Sequence, residues 1–202
     1  MENYSTIGEF CHTTEYQTWQ NQWQSSVNDV TWFNELEDLH YTPRGWLWHR
    51  IASRIPYYLL HTINIDIKKC VDIGCGDNLL SWNNPHIWGV DKGSSAQNEE
   101  LTSTWYVDNC EKWSKVISIN AIHFRSVQKI GESLSKIESI LTSGGSGVVT
   151  MNRFRIEEYS DIYTDELLKE QISTISTVTR VVWFDEPKDS HLDGNVWVWI
   201  NK

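Results

Sequence analysis

The run Val71-Asp72-Ile73-Gly74-Cys75-Gly76-Asp77 has the makings of a ligand-cradling turn. Glycines at 74 and 76 allow a sharp reversal and let a ligand press against bare backbone. Asp72 stands two places before the first glycine, and Asp91 ends the next apolar run, where a carboxylate accepts hydrogen bonds from ribose hydroxyls. Asp108 and Asn109 follow a third apolar run, and Asn120 and His123 close a fourth. His123 can act as a general base on a hydroxyl or amine. Asn120 can orient an amide or amine. The plainer alternatives are a histidine hydrogen-bonded at a strand end and an asparagine that caps a helix. Arg125, Arg153 and Arg155 lie just beyond the fourth and fifth runs. On an extended chain residues 153 and 155 point to one side, and guanidinium groups there would hold carboxylate or phosphate. Solvated surface charge is the alternative for each of them.

These residues need a scaffold that brings strand ends together. Lys69 to Ile73, Ile87 to Asp91, Trp105 to Val107, Val116 to Asn120 and Gly147 to Met151 read as strands separated by helical or loop segments. Val127, Ile130, Leu134, Ile137 and Leu141 mark one helical face, which the Gly144-Gly145 pair is expected to close. A less regular helix is expected over Ser160 to Ile175. The chain then runs through two strands, Val178 to Phe184 and Asn195 to Ile200, with no helix between them, so they should pair antiparallel. Alternating strands and helices imply an α/β fold with a mostly parallel, seven-stranded, Rossmann-like sheet. Ligands of such sheets sit beyond the carboxyl ends of the strands, where strand order reverses.

Before residue 67 the pattern is helical. Tyr16, Trp19, Trp23, Val27 and Val30 share one face, with Thr14 and Gln17 as a capping box. A second helix should start after Thr42-Pro43 and run through Leu47, Ile51 and Ile55, with Pro56 ending or kinking it. Residues 1–67 are thus expected to form a helical cap or lid on a core of residues 68–202, within one compact domain. The turn His40-Tyr41-Thr42-Pro43-Arg44-Gly45-Trp46 places Arg44 in this segment.

A formal net charge of -10 argues against broad nucleic-acid binding, which draws on many Lys and Arg contacts to phosphate. No apolar stretch is long enough to span a bilayer and no signal-peptide pattern opens the chain, so a cytoplasmic protein is expected. The four cysteines include no C-x-x-C pair, which points to reduced, structural thiols and no metal site. The 12 tryptophans read mainly as large core residues with a polar handle.

Taken together, the Asp72–Asp77 loop, Asp91 and the Asp108-Asn109 pair resemble the class I S-adenosylmethionine-dependent methyltransferases. The resemblance covers about residues 68–200 and includes the terminal antiparallel pair. It implies S-adenosylmethionine as cofactor, with Asp72, Gly74, Cys75 and Gly76 facing its methionine part. Asp91 would hold its ribose, Asp108 and Asn109 would lie near its adenine, and Arg44 would meet its methionine carboxylate. Ser118-Ile119-Asn120-Ala121-Ile122-His123 stands where this family places its acceptor-side motif, which makes Asn120 and His123 the candidate catalytic residues. Arg125, Arg153 and Arg155 would favour an anionic small molecule or a short phosphate-bearing acceptor. A nicotinamide-dependent oxidoreductase would want a third glycine where Leu79 stands. A non-catalytic binding subunit built on the same fold is the other alternative. The acceptor-side run lacks the D/N-P-P-Y/F signature of enzymes that methylate base amines, the Pro-Cys of cytosine-C5 enzymes and the glutamates of arginine methyltransferases. Asn120 also replaces the aspartate that ribose 2′-O and catechol-type enzymes use. Transfer to oxygen or nitrogen of another acceptor is what remains.

Overall fold

The computed structural model describes residues 1–26, 54–65, 70–75, 86–91, 112–185 and 194–202. Its centre is a seven-stranded sheet: β1 (Glu2–Tyr4), β2 (Cys70–Ile73), β3 (Ile87–Val90), β4 (Trp113–Ile119), β5 (Leu141–Asn152), β6 (Val178–Phe184) and β7 (Asn195–Asn201). In space they lie in the order β1-β6-β7-β5-β4-β2-β3. All pairings are parallel except those of β7, which runs antiparallel to both β5 and β6. The α/β class, the parallel sheet and the antiparallel terminal pair are therefore as the sequence predicts. The expected strand Trp105 to Val107 lies outside the described residues.

Period-two alternation in the last strands divides the core between the two faces of the sheet. Val196, Val198 and Ile200 point to one face, with Val149, Met151, Val181 and Trp183. Trp197 and Trp199 point to the other, with Val148, Val182 and Phe184. The first face is covered by α4 (Ile130–Ile140) and α6 (Asp165–Ser173), through Ile130, Leu134, Ile137, Leu168 and Ile172. The second is covered by α1 (Ile7–Cys11), α2 (Thr14–Ser26) and α3 (Arg54–Thr62), through Phe10, Tyr16, Trp19, Tyr58 and Leu59. Trp19, Trp113, Trp183, Trp197 and Trp199 are all buried, and the Trp199 Nε1–H donates to Thr62 Oγ1 at 2.8 Å, the polar handle expected of core tryptophans. Among the described residues no helix is long and apolar enough to cross a membrane.

Four local expectations are corrected. The N-terminal segment is not all helix: β1 pairs with β6, and Arg180 on β6 clamps it by donating to both oxygens of Glu2 at 2.8 and 2.9 Å. The cap of α2 is Thr13, whose Oγ1 accepts from the Tyr16 N–H, while Gln17 reaches back to the Cys11 carbonyl. Pro56 does not end a helix but sits in the first turn of α3, where a missing N–H leaves no intrahelical bond unmade. Gly144 and Gly145 do not close α4. Leu141 is already extended, and the glycines fall within β5 opposite a register shift, with Gly144 at φ +75°.

Candidate functional site

From β2 the chain runs out to β3, the last described strand on that side, and returns to β4 on the other side of β2, so strand order reverses between β2 and β4. The crevice beyond their carboxyl ends is where this architecture binds ligands. Gly74 lies at its lip. Its φ is +74°, its N–H donates to the Val90 carbonyl at 2.7 Å, and the Cys75 N–H shares that acceptor at 3.3 Å. A Cβ here would lie 2.2 Å from the Cβ of Ala121, just past β4. Glycine is thus required twice, by the left-handed backbone and by the contact that holds the two strand ends together. The Ser118 hydroxyl donates to the Ile73 carbonyl at 2.9 Å and fixes the same junction from β4.

Asp72 is buried in β2, in register with Gly89 of β3 and Ile117 of β4. Its Oδ1 has no hydrogen-bond partner among the described residues. Burial, and next the charge of Asp91 at the end of β3, push its carboxyl up to about 7. A buried carboxylate oxygen without a donor is costly. A cationic or N–H-bearing ligand part in the crevice would supply what Asp72 lacks, so the donor set fits the ammonium of an amino-acid moiety. Gly76, Asp77, Asp108, Asn109 and Arg44 lie outside the described residues.

On the acceptor side, Asn120 directly follows β4 at φ +51°, a conformation asparagine tolerates better than most residues. Its N–H donates to the Thr150 carbonyl and hydroxyl, both at 3.0 Å, and its Oδ1 accepts from that hydroxyl at 3.1 Å. β5 therefore fixes the oxygen end of the Asn120 amide, while its Nδ2 has no hydrogen-bond partner among the described residues. His123 follows in a short 3-10 turn (Ile122–Phe124) and is buried. Its Nδ1 accepts the Asn152 N–H at 3.3 Å. Burial first, then the Arg155 charge, lowers the imidazole to about 4, so it is neutral with its proton on Nε2.

The expectation for Arg153 and Arg155 is overturned. They do not follow β5 on extended chain but open a helix, α5 (Arg153–Glu158), capped by the Asn152 side chain, which accepts from the Arg155 N–H at 3.1 Å. Two residues apart on a helix, they diverge. Arg153 turns inward, 2.7 Å from Asp165 and 3.9 Å from Asp185, with Phe154 and Trp183 against its guanidinium. Arg155 is exposed and paired with Glu158 at 2.7 Å. Arg125 remains just past the 3-10 turn, half-buried. The sequence reading missed Thr150, and it placed Ser118 and Ala121 in the acceptor-side run without the contacts by which they hold the site together. Small residues of these kinds carry no local signal, and only the strand order reveals their partners.

No protein-family model matches this chain, and no curated protein matches it in sequence. Solved structures do match. N-methyltransferase NodS from Bradyrhizobium japonicum, in complex with S-adenosyl-L-homocysteine, superposes with a TM-score of 0.54 at 13% identity, over 94% of this chain and 99% of that one. Magnesium protoporphyrin IX methyltransferase ChlM from Synechocystis, with bound S-adenosylmethionine, gives 0.53 at 10% identity, over 97% and 95%. A S-adenosylmethionine-dependent methyltransferase from Archaeoglobus fulgidus gives 0.53 at 13%, over 84% and 99%. The fold is that of the class I methyltransferases. At these identities the likeness is one of architecture.

Proposed function

We propose that this protein is a cytoplasmic S-adenosylmethionine-dependent methyltransferase acting on oxygen or nitrogen of its acceptor. The observation that carries the reading is Asp72, a buried carboxylate with an oxygen unpartnered among the described residues, beside the left-handed glycine turn at the reversal of a methyltransferase-type sheet. In this reading Asp72, Gly74, Cys75 and Gly76 hold the methionine part, Asp91 the ribose, and Asp108 and Asn109 the adenine edge. Arg44 meets the methionine carboxylate. Residues 1–67 serve as the cap, anchored through β1 and Arg180. When bound, S-adenosylmethionine supplies an activated methyl group on a sulfonium.

The chain's own residues then have to align the acceptor and exclude water. Asn120, braced by Thr150, offers its amide N–H, and His123, held by the Asn152 N–H, offers Nε2–H. A histidine whose Nδ1 is already an acceptor donates from Nε2 and becomes a base only after losing one of these bonds. Its first role is to position the acceptor. The test is production of S-adenosylhomocysteine from S-adenosylmethionine over a panel of hydroxyl and amine acceptors. Turnover with at least one acceptor, lowered by His123→Ala, is expected. Tight cofactor binding with no turnover on any acceptor would favour the non-catalytic subunit.

A further inference from the structure

Two large rings stand exposed where the acceptor side ends. Phe124 is 57% exposed and Tyr159 52%. They form an edge-to-face pair with centroids 5.9 Å apart, and the Phe124 ring lies 4.3 Å from that of His123. Ile162, three residues beyond Tyr159, is 64% exposed. These side chains are set on a fixed base. The Ser160 hydroxyl accepts the Val127 N–H at 2.8 Å and donates to the Ile156 carbonyl at 2.6 Å, and the Tyr159 N–H is bonded to that same carbonyl. Rigid, clustered, exposed aromatic surface is what a binding face presents, whereas singly scattered apolar residues carry no such meaning.

The position of the pair says which ligand it serves. Phe124 closes the 3-10 turn that begins one residue after Ala121, the residue in contact with the Gly74 turn, and its ring lies against His123. None of the three rim arginines stands alone: Arg155 pairs with Glu158, Arg153 with Asp165 and with Asp185 beyond it, and Arg125 lies within electrostatic reach of Glu132. Such a rim offers ring edges and faces in place of paired guanidinium donors. Resting on the methyltransferase reading, we propose that the acceptor is an uncharged molecule carrying a flat aromatic ring, seated against Phe124 and Tyr159. This replaces the anionic acceptor that the arginines suggest in the sequence.

The experiment is calorimetric titration of the full chain with naphthol and with naphthoate, each with and without saturating S-adenosylhomocysteine. It is repeated on the double variant Phe124→Ala/Tyr159→Ala. Both rings are largely exposed, so the variant should fold, and unchanged S-adenosylhomocysteine affinity checks this independently. The expected result is naphthol binding that weakens by at least about tenfold in the double variant, with naphthoate bound no more tightly. Tighter binding of naphthoate, naphthol binding that ignores the substitutions, or binding of neither probe would overturn the proposal. So would sedimentation showing a dimer that the double variant dissociates, because the rings would then belong to an interface between copies. Failure of S-adenosylhomocysteine alone to bind would strike the methyltransferase reading, while the naphthol titration without it still decides on the aromatic face.

Discussion

Replacing Asp72 by Asn should stabilise the ligand-free protein while weakening the site. The carboxyl sits at about 7 against an ordinary 3.8, because it is buried and faces Asp91. Between about pH 4 and pH 7 the unfolded chain has released this proton and the folded chain has kept it. Folding therefore takes up a proton, and this group's contribution to stability falls as pH rises. At about 1.36 kcal/mol per pH unit, ionised Asp72 destabilises the folded state by up to roughly 4 kcal/mol above pH 7. Asparagine has the same shape and no charge, and the unpartnered Oδ1 means that no bond among the described residues is forfeited there. His123 has the opposite sign. Its folded value of about 4 lies below the ordinary 6.5, so its contribution is present above 6.5 and is lost as pH falls towards 4. The two slopes offset each other in the unchanged protein, so the informative quantity is the difference between variant and parent. Urea unfolding should show a small difference near pH 4 that grows in favour of Asp72→Asn up to about pH 8. A difference that stays constant across this range would refute the reasoning, because Asp72 would then titrate like an exposed carboxylate.

Other outcomes follow from the same geometry. Gly74→Ala should lose about 1–3 kcal/mol from the left-handed backbone, plus the collision with Ala121, and the double variant Gly74→Ala/Ala121→Gly should recover the collision part in urea unfolding. Arg180→Met should cost about 1–2 kcal/mol, because Arg180 pairs with both Glu2 and Glu15 and stacks on Trp199, while water screens the two half-exposed carboxylates. Proteolysis between β1 and α2 should accelerate with it, and resistance equal to that of the parent would contradict the clamp. His123→Ala should lower turnover without moving cofactor affinity, and the parent's turnover should show no histidine titration near pH 6.5, since burial holds His123 neutral down to about 4.

What could be read from the sequence was local. Short continuous apolar runs such as those in Val178–Phe184 and Asn195–Asn201 announce strands because both faces of the sheet are covered and successive side chains enter opposite layers. The Gly74 turn was legible because few residues other than glycine accept its backbone, although the contact that enforces it, Ala121, lies just past β4, far along the chain. The Glu2–Tyr4 strand was illegible. Three polar and aromatic residues make no pattern, and what holds them is pairing with β6 and the charge of Arg180. Arg153 and Arg155 were misread through secondary structure: Asn152 is a sound helix cap, and once the chain turns helical the two guanidiniums part and find Asp165 and Glu158. Asp165 and Asp185 reach Arg153 from separate elements, so no spacing in the sequence could announce them.

The central claim is tested most directly by isothermal titration of the purified chain with S-adenosylmethionine, S-adenosylhomocysteine and NAD, on the parent and on Asp91→Ala. Stoichiometric binding of the two adenosyl compounds and none of NAD is expected. Asp91→Ala should weaken the adenosyl compounds by about 1.5–3 kcal/mol, the strength of a charge-assisted hydrogen bond to ribose. NAD binding in their place, no binding of either adenosyl compound, or affinities that Asp91→Ala leaves unchanged would contradict the central claim.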